Sequence, residues 1–383
     1  MSSNEENLAA EIFADSGPKH MMEEFGAAGS SSRTTRTGID WEKGRACLVQ
    51  GTYVLQSDQT KRRLNTSEAL APAWWESFHF RLFEMLECEC ECKQCPFSSR
   101  GIRCFIYGAI FEYDPPEAAH RRHRSAPRYI VAFRGTMLRD PATAGGDLYL
   151  NANVLLNRQH RCSRFLRARE QVEELLGNIA NGGGGGGGDV WLAGHSLGAS
   201  IALDVGRTMA VNSRGYLPTF LFNPPHVSLE PAADVMRMTE KAKTDLRVTG
   251  DVLKHALAKI PALRPYKKRA HELFERLSPW APELYVHERD IICKGFIDYF
   301  EQRRKVQERL PRVATSACAL SWRDMWHAVI HKDTERPHLL PSAVLWKNAS
   351  SRTEAHKLRQ WWQPERELKL SSKRYSWPGA DLE

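Results

Sequence analysis

Residues 189–211, DVWLAGHSLGASIALDVGRTMAV, constrain this chain more than any other segment. An apolar run ends at Ala193, the pentapeptide Gly194-His195-Ser196-Leu197-Gly198 follows, and a small-residue helical pattern starts at Ala199. A serine in that setting sits at the tip of a sharp strand-to-helix turn, a strained position whose neighbours must be glycine because side chains there collide with the adjoining strand and helix. The turn points the Ser196 hydroxyl at the C-terminal edge of a sheet. It also puts the Leu197 amide at a helix N-terminus, where the positive dipole and free N–H groups favour a developing oxyanion. His195 is expected to pack beside the turn, pointing away from Ser196, and is a poor base.

Around this turn short apolar runs alternate with longer helix-periodic ones, which argues for one α/β layer architecture. Strands are expected at 105–112, 128–133, 190–193, 219–222, 284–287 and 343–346. Several are nearly continuous apolar runs, as parallel strands covered on both faces are. Helices are expected at 74–86, 162–179, 199–211, 252–277 and 292–307. Residues 1–38 are rich in Ser, Gly, Glu and Thr with few aromatics and read as a disordered tail. A single domain then spans 39–370, with a C-terminal tail at 371–383. The seven-glycine run Gly182–Gly188 reads as a flexible connection.

A serine hydroxyl is too weak an acid to attack a carbonyl unaided; it needs an imidazole within hydrogen-bond reach and a carboxylate to orient that imidazole. In open α/β sheets ligands gather at the carboxyl ends of the strands, so these partners should follow strands. That rule selects among the 14 histidines. His338 precedes the strand at 343–346, whereas His356 follows it and is the preferred base. Asp290 directly follows the strand at 284–287 and is the preferred acid, with Asp251 the alternative and Asp245 and Asp324 weaker. A second oxyanion donor should come from a loop after an earlier strand, and IVAFRGT supplies Thr136 behind Gly135.

Charge and cysteine content bound the remaining functions. The net charge is +8, but the basic clusters at 121–124, 267–269 and 303–305 are short and interspersed with acids. No nucleic-acid-binding signature accompanies them, so no nucleic acid is expected, and at most a weak peripheral pull toward anionic lipid. The N-terminus carries acids where a secretory signal has a basic start, and no apolar stretch approaches the roughly 18 residues of a membrane span, so a cytoplasmic location is expected. Nine cysteines fit reduced thiols better than a disulfide framework. Cys88, Cys90, Cys92 and Cys95 raise the idea of a zinc cage, but they lack the paired knuckles of zinc sites, and a thiol-rich surface loop is the better reading. His327 and His331 likewise read as helix-face residues, so neither metal nor cofactor is expected.

With these residues in hand, the chain resembles the class 3 lipase family of α/β-hydrolases, and more closely its plant esterase/lipase-like branch. The resemblance rests on FRGT at 133–136, WLAGHSLGASIAL at 191–203, FLFNPP at 220–225, Asp290 with Ile291 to Cys293 behind it, HLLPSA at 338–343, and AH with QWW within 355–362. It implies an α/β-hydrolase fold, a mostly parallel central sheet with helices on both faces. It further implies hydrolysis of lipid acyl esters by Ser196, Asp290 and His356, with Thr136 and Leu197 as the oxyanion hole. A lid is implied at 137–160, with Leu148, Leu150, Val154, Leu155 and Leu156 as apolar candidates. Two departures stand out: the glycine run, and Glu288-Arg289 ahead of Asp290. The competing readings are a catalytically inactive ligand-binding or scaffold protein on the same fold, and an acyltransferase.

Overall fold

The computed structural model describes residues 41–88, 105–114, 126–137, 163–182, 187–226, 264–309, 339–350, 355–363 and 368–377. An eight-stranded sheet runs through them with strand order equal to chain order. The strands are β1 (Phe80–Cys88), β2 (Phe105–Tyr113), β3 (Tyr129–Phe133), β4 (Val190–His195), β5 (Thr219–Phe222), β6 (Glu283–His287), β7 (Ala343–Asn348) and β8 (Leu370–Tyr375). Strands β3 to β7 pair in parallel, while β1, β2 and β8 join antiparallel at the two ends. The helices are α1 (Trp41–Thr60), the short α2 (Ala73–Glu76), α3 (Ser163–Asn181), α4 (Leu197–Val211), α5 (Arg264–Leu277) and α6 (Gly295–Arg309), with a 3₁₀ turn at Leu358–Trp362.

Side-chain alternation along the strands feeds two separate cores. Val131, Phe133, Leu192, Leu221, Leu284, Val286 and Leu345 face α3 to α6. Ile130, Ala132, Ala193, Phe220, Phe222 and Tyr285 face the other way, under α1, α2 and the 3₁₀ turn. A sheet buried on both faces must carry apolar residues at both parities, which is why these strands read as unbroken apolar runs. Strand β2 is one such run, yet it pairs antiparallel with both neighbours. Among the described residues no helix is long and apolar enough to cross a membrane.

Three expectations are corrected. Residues 74–86 form not one helix but α2 followed by β1. Register shifts between Leu82 and Glu84 and between Leu86 and Glu87 interrupt the two-residue alternation, so the apolar spacing of FRLFEMLEC imitates a helical face. The chain does not become a tail at 371: residues 370–375 are the edge strand β8, with Tyr375 buried at its end and Trp377 buried just beyond. Its middle residues are polar and exposed, as an edge strand tolerates, and that polarity is what suggested a tail. Cys88 lies in the interior at the end of β1, not in a surface loop. Residues 1–40, most of the glycine run, 138–162, and Cys90, Cys92 and Cys95 lie outside the described residues, as do 252–263, Asp245, Asp251, Asp324, His327, His331 and His338.

Helix α1 carries no sequence signal of its own. Its apolar residues spread around the whole circumference, and it contains Gly44 and Gly51, which disfavour helices in isolation. Packing reverses that preference. A side chain at Gly51 would stand 3.2 Å from the Trp74 Cβ and one at Gly44 3.3 Å from the Phe78 ring, so the glycines let α1 lie close against α2 and the turn that follows it.

Candidate active site

Strand β4 ends on the serine turn that the pentapeptide encodes. Ser196 has φ 53° and ψ −121°, a region L residues seldom occupy, at a cost of about 1–3 kcal/mol. The flanking glycines have no alternative. A Cβ at Gly194 would sit 2.3 Å from the Gly198 carbonyl oxygen, and one at Gly198 would sit 2.2 Å from that of Phe133. The Ser196 amide donates to Phe222 O at 2.9 Å, anchoring the turn to β5, and Ser196 O accepts the Ala199 and Ser200 amides of the first turn of α4. Leu197 is the first residue of α4.

Asp290 lies in the turn after β6 and His356 in the loop after β7, both at the same sheet edge as Ser196. His356 Nε2 is 2.9 Å from Ser196 Oγ, and His356 Nδ1 is 2.7 Å from Asp290 Oδ2. Since the ionised carboxylate only accepts, Nδ1 carries the proton and Nε2 offers a lone pair to the serine hydroxyl. Residues 160 and 66 positions apart from His356 thus meet through one imidazole ring.

The Asp290 carboxyl is held ionised. Burial alone pushes the Asp290 pKa up, but hydrogen bonds from His356, Cys293 and Asn223 outweigh it and hold the carboxyl below its ordinary value. Cys293 Sγ donates to Oδ2 at 3.0 Å, Asn223 Nδ2 donates to Oδ2 at 2.8 Å, and the Ile292 amide donates to Oδ1 at 3.0 Å. The Cys293 thiol is itself kept protonated, first by burial and then by the adjacent Asp290 charge, which raise its pKa.

Two residues without an assigned role in the sequence pattern organise the site. Asn223, fully buried at φ 48°, donates through Nδ2 to Asp290 and to Ala355 O at 2.9 Å, and accepts from Trp361 Nε1 at 2.7 Å. It therefore joins Asp290 to the loop that carries His356. Gln360 supports the same loop, donating to Ala355 O at 2.7 Å and to Lys357 O at 3.0 Å. Trp361 and Trp362 pin the loop from below, Trp361 against Phe222 and Tyr285 and Trp362 against Trp74. The only sequence signal for Asn223 is its position at a strand end within FLFNPP.

His195 lies beside the turn as expected and does not bond to Ser196. It is buried, and burial first and the neighbouring His356 ring second lower its pKa to about 3, so it is neutral. A neutral ring matters there: the two imidazole centroids are 5.3 Å apart, and a second cation would oppose protonation of His356. Thr136 and Gly135 lie in the loop after β3. A Cβ at Gly135 would stand 3.0 Å from Ser196 Cβ, so this loop runs directly against the serine turn.

Among the described residues no cluster of three or more His, Cys, Asp or Glu side chains is arranged to hold a metal ion. No protein-family model matches the chain, and no solved structure matches it. The chain is similar to the protein named GDSL esterase/lipase At4g10955 of Arabidopsis thaliana, at 32% identity over 364 residues, covering 88% of this chain and 95% of the relative. With that identity sustained over nearly the whole of both chains, this protein belongs to the esterase/lipase family of its Arabidopsis relative.

Proposed function

We propose that this carboxylic ester hydrolase works through a Ser196–His356–Asp290 triad and an acyl-enzyme, and that acylglycerols or related lipid esters are its substrates. The observation that carries the reading is the single imidazole of His356, 2.9 Å from the Ser196 hydroxyl and 2.7 Å from the Asp290 carboxylate. Ser196 Oγ attacks the ester carbonyl while His356 Nε2 takes its proton, and Asp290 stabilises the imidazolium that results. The carbonyl oxygen becomes an oxyanion facing the amides of Leu197 and Thr136 and the Thr136 hydroxyl. Collapse of the tetrahedral species expels the alcohol, which takes the proton from His356. Water, activated by the same imidazole, then releases the carboxylic acid and restores Ser196.

The lipid part of the proposal draws on the relative's name, which couples esterase to lipase, and on the class 3 resemblance of the FRGT and GHSLG segments. Within its family we assign the chain to that class and to the α/β-hydrolase fold. Gly-Asp-Ser-Leu does not occur in the sequence, and the serine turn lies mid-chain between a parallel strand and a helix. The assignment includes a cytoplasmic enzyme with weak peripheral attraction to anionic lipid, needing no cofactor.

Labelling with a fluorophosphonate tests the triad. Wild type becomes labelled and Ser196→Ala does not; equal labelling of both overturns the assignment. Turnover of a series of acyl esters from short to long chains, with Ser196→Ala as the blank, tests the lipid class. Hydrolysis confined to the shortest members overturns it.

A further inference from the structure

We propose that Tyr53 and His195 are positioning residues that lock the oxyanion loop to the backbone of the catalytic base. The inference rests on the triad reading and adds a device to it that no sequence motif encodes. Tyr53 comes from α1, which lies across β2, β3 and β4. Its hydroxyl oxygen accepts the Gly135 amide at 2.6 Å and lies 2.8 Å from His195 Nδ1. On the far side of that ring, Nε2 lies 2.9 Å from the carbonyl oxygen of His356 itself.

The protons along this path have one arrangement. The His356 carbonyl can only accept, so His195 carries its proton on Nε2. His195 Nδ1 then presents a lone pair, and the Tyr53 hydroxyl donates its proton there. The tyrosine oxygen keeps its lone pairs for the Gly135 N–H. The path therefore runs from the Gly135 amide through Tyr53 and His195 to the His356 backbone, each link a directional hydrogen bond across a rigid ring.

Two consequences follow. The Gly135 amide is engaged by Tyr53, so the oxyanion donors of this loop belong to Thr136, next along the chain. The distance from that loop to the base is set by two rings in series, not by loop backbone alone. Contact is tight throughout: a Cβ at Gly135 would stand 2.5 Å from Tyr53 Oη and 2.7 Å from His195 O. Arg134 holds the next peptide, the one that carries the Thr136 amide, donating from Nη1 to Gly135 O at 2.7 Å, and it donates from Nε to Ile106 O at 2.7 Å. Catalysis by an oxyanion hole depends on donor placement within a fraction of an ångström. Loosening this path should lower the rate of bond making more than the binding of ester.

The test uses the full-length chain and four variants: Tyr53→Phe, His195→Ala, the double variant, and His195→Gln, whose amide keeps one donor and one acceptor. Each is measured for kcat and KM on a soluble short-chain ester, for the rate of fluorophosphonate labelling, and for thermal unfolding. Tyr53→Phe should lower kcat and the labelling rate about tenfold, the worth of one well-placed hydrogen bond, with KM unchanged within about twofold. His195→Ala should lose at least as much. The double variant should fall no further than the worse single one, because both cut the same path, and His195→Gln should recover part of the loss. Wild-type kcat in a folded Tyr53→Phe enzyme overturns the inference, as do single losses that multiply in the double variant. If His195→Ala does not fold, Tyr53→Phe alone decides. Ser196→Ala in the same assays separates the two readings. Turnover retained by Ser196→Ala overturns the triad, whereas turnover abolished there and intact in Tyr53→Phe overturns only the positioning role.

Discussion

Asn223→Ala removes the side chain that ties Asp290, the His356 loop and Trp361 together, and its cost can be worked out contact by contact. Trp361 Nε1, buried with its ring, loses its acceptor and costs about 1–3 kcal/mol. The bond to the ionised Asp290 is charge-assisted, worth about 1.5–3 kcal/mol, though His356 and Cys293 continue to donate to the same oxygen and hold the loss near the lower end. Ala355 O contributes little because Gln360 still donates to it. The backbone at φ 48° adds about 1 kcal/mol, since alanine tolerates that conformation less well than asparagine. The total is about 4 kcal/mol, a large share of the roughly 5–15 kcal/mol that holds a folded domain together.

Calorimetry and urea unfolding of the purified variant measure this directly. At about 2 °C per kcal/mol, Tm falls by about 8 °C. Asn223→Gly loses the same hydrogen bonds but not the backbone penalty, so it should be no less stable than Asn223→Ala. That reverses the usual order for a strand end, where alanine is favoured. A loss under about 1 kcal/mol for Asn223→Ala refutes the view of Asn223 as the hub of the site. Asn223→Asp is a companion measurement: it keeps an acceptor for Trp361 but sets a second carboxylate against Asp290, and kcat should fall while the Trp361 contact survives.

Two further outcomes are expected from the same geometry. Gly198→Ala would put a methyl group 2.2 Å from Phe133 O and 2.5 Å from Arg134 O, both backbone atoms, so the variant should be inactive toward fluorophosphonate and should unfold well below wild type; normal labelling would contradict the packing of the turn. Asp290 has its pKa below the unfolded value, so its contribution to stability is present above about pH 3.9 and is lost as pH falls through the lower folded value. The stability gap between wild type and Asp290→Asn, read from urea midpoints, should therefore narrow in acid; a gap that is constant from neutral pH to pH 3 would rule out the hydrogen bonds as its origin.

The backbone of the serine turn was legible in the sequence because it is local. A serine at the end of an apolar strand, with glycine on either side and a helix behind, needs only five consecutive residues and their immediate neighbours to specify its backbone. The meeting of Asp290 and His356 at the edge of Ser196 was legible for a related reason: each follows a strand, and chain order with strand direction fixes the sheet edge each one reaches. Strand positions followed from apolar runs of two parities, and β5 falls at 219–222 as its composition suggests.

What only the tertiary structure decided depends on contacts between distant segments. Helix α1 has no stripe and two unfavourable glycines, so its conformation is set by what it packs against. Strand β1 imitates a helix because bulges break its alternation, and β8 resembles a tail because one of its edges faces solvent. The same holds for the residues that hold the site together. Tyr53, Asn223 and Gln360 do not stand in any spacing with Ser196, His195 is next to it but its hydrogen-bond partners are not, and these bonds span up to 161 positions of chain. Local propensity reports backbone conformation over a few residues; the alignment of a proton path is a property of the closed fold.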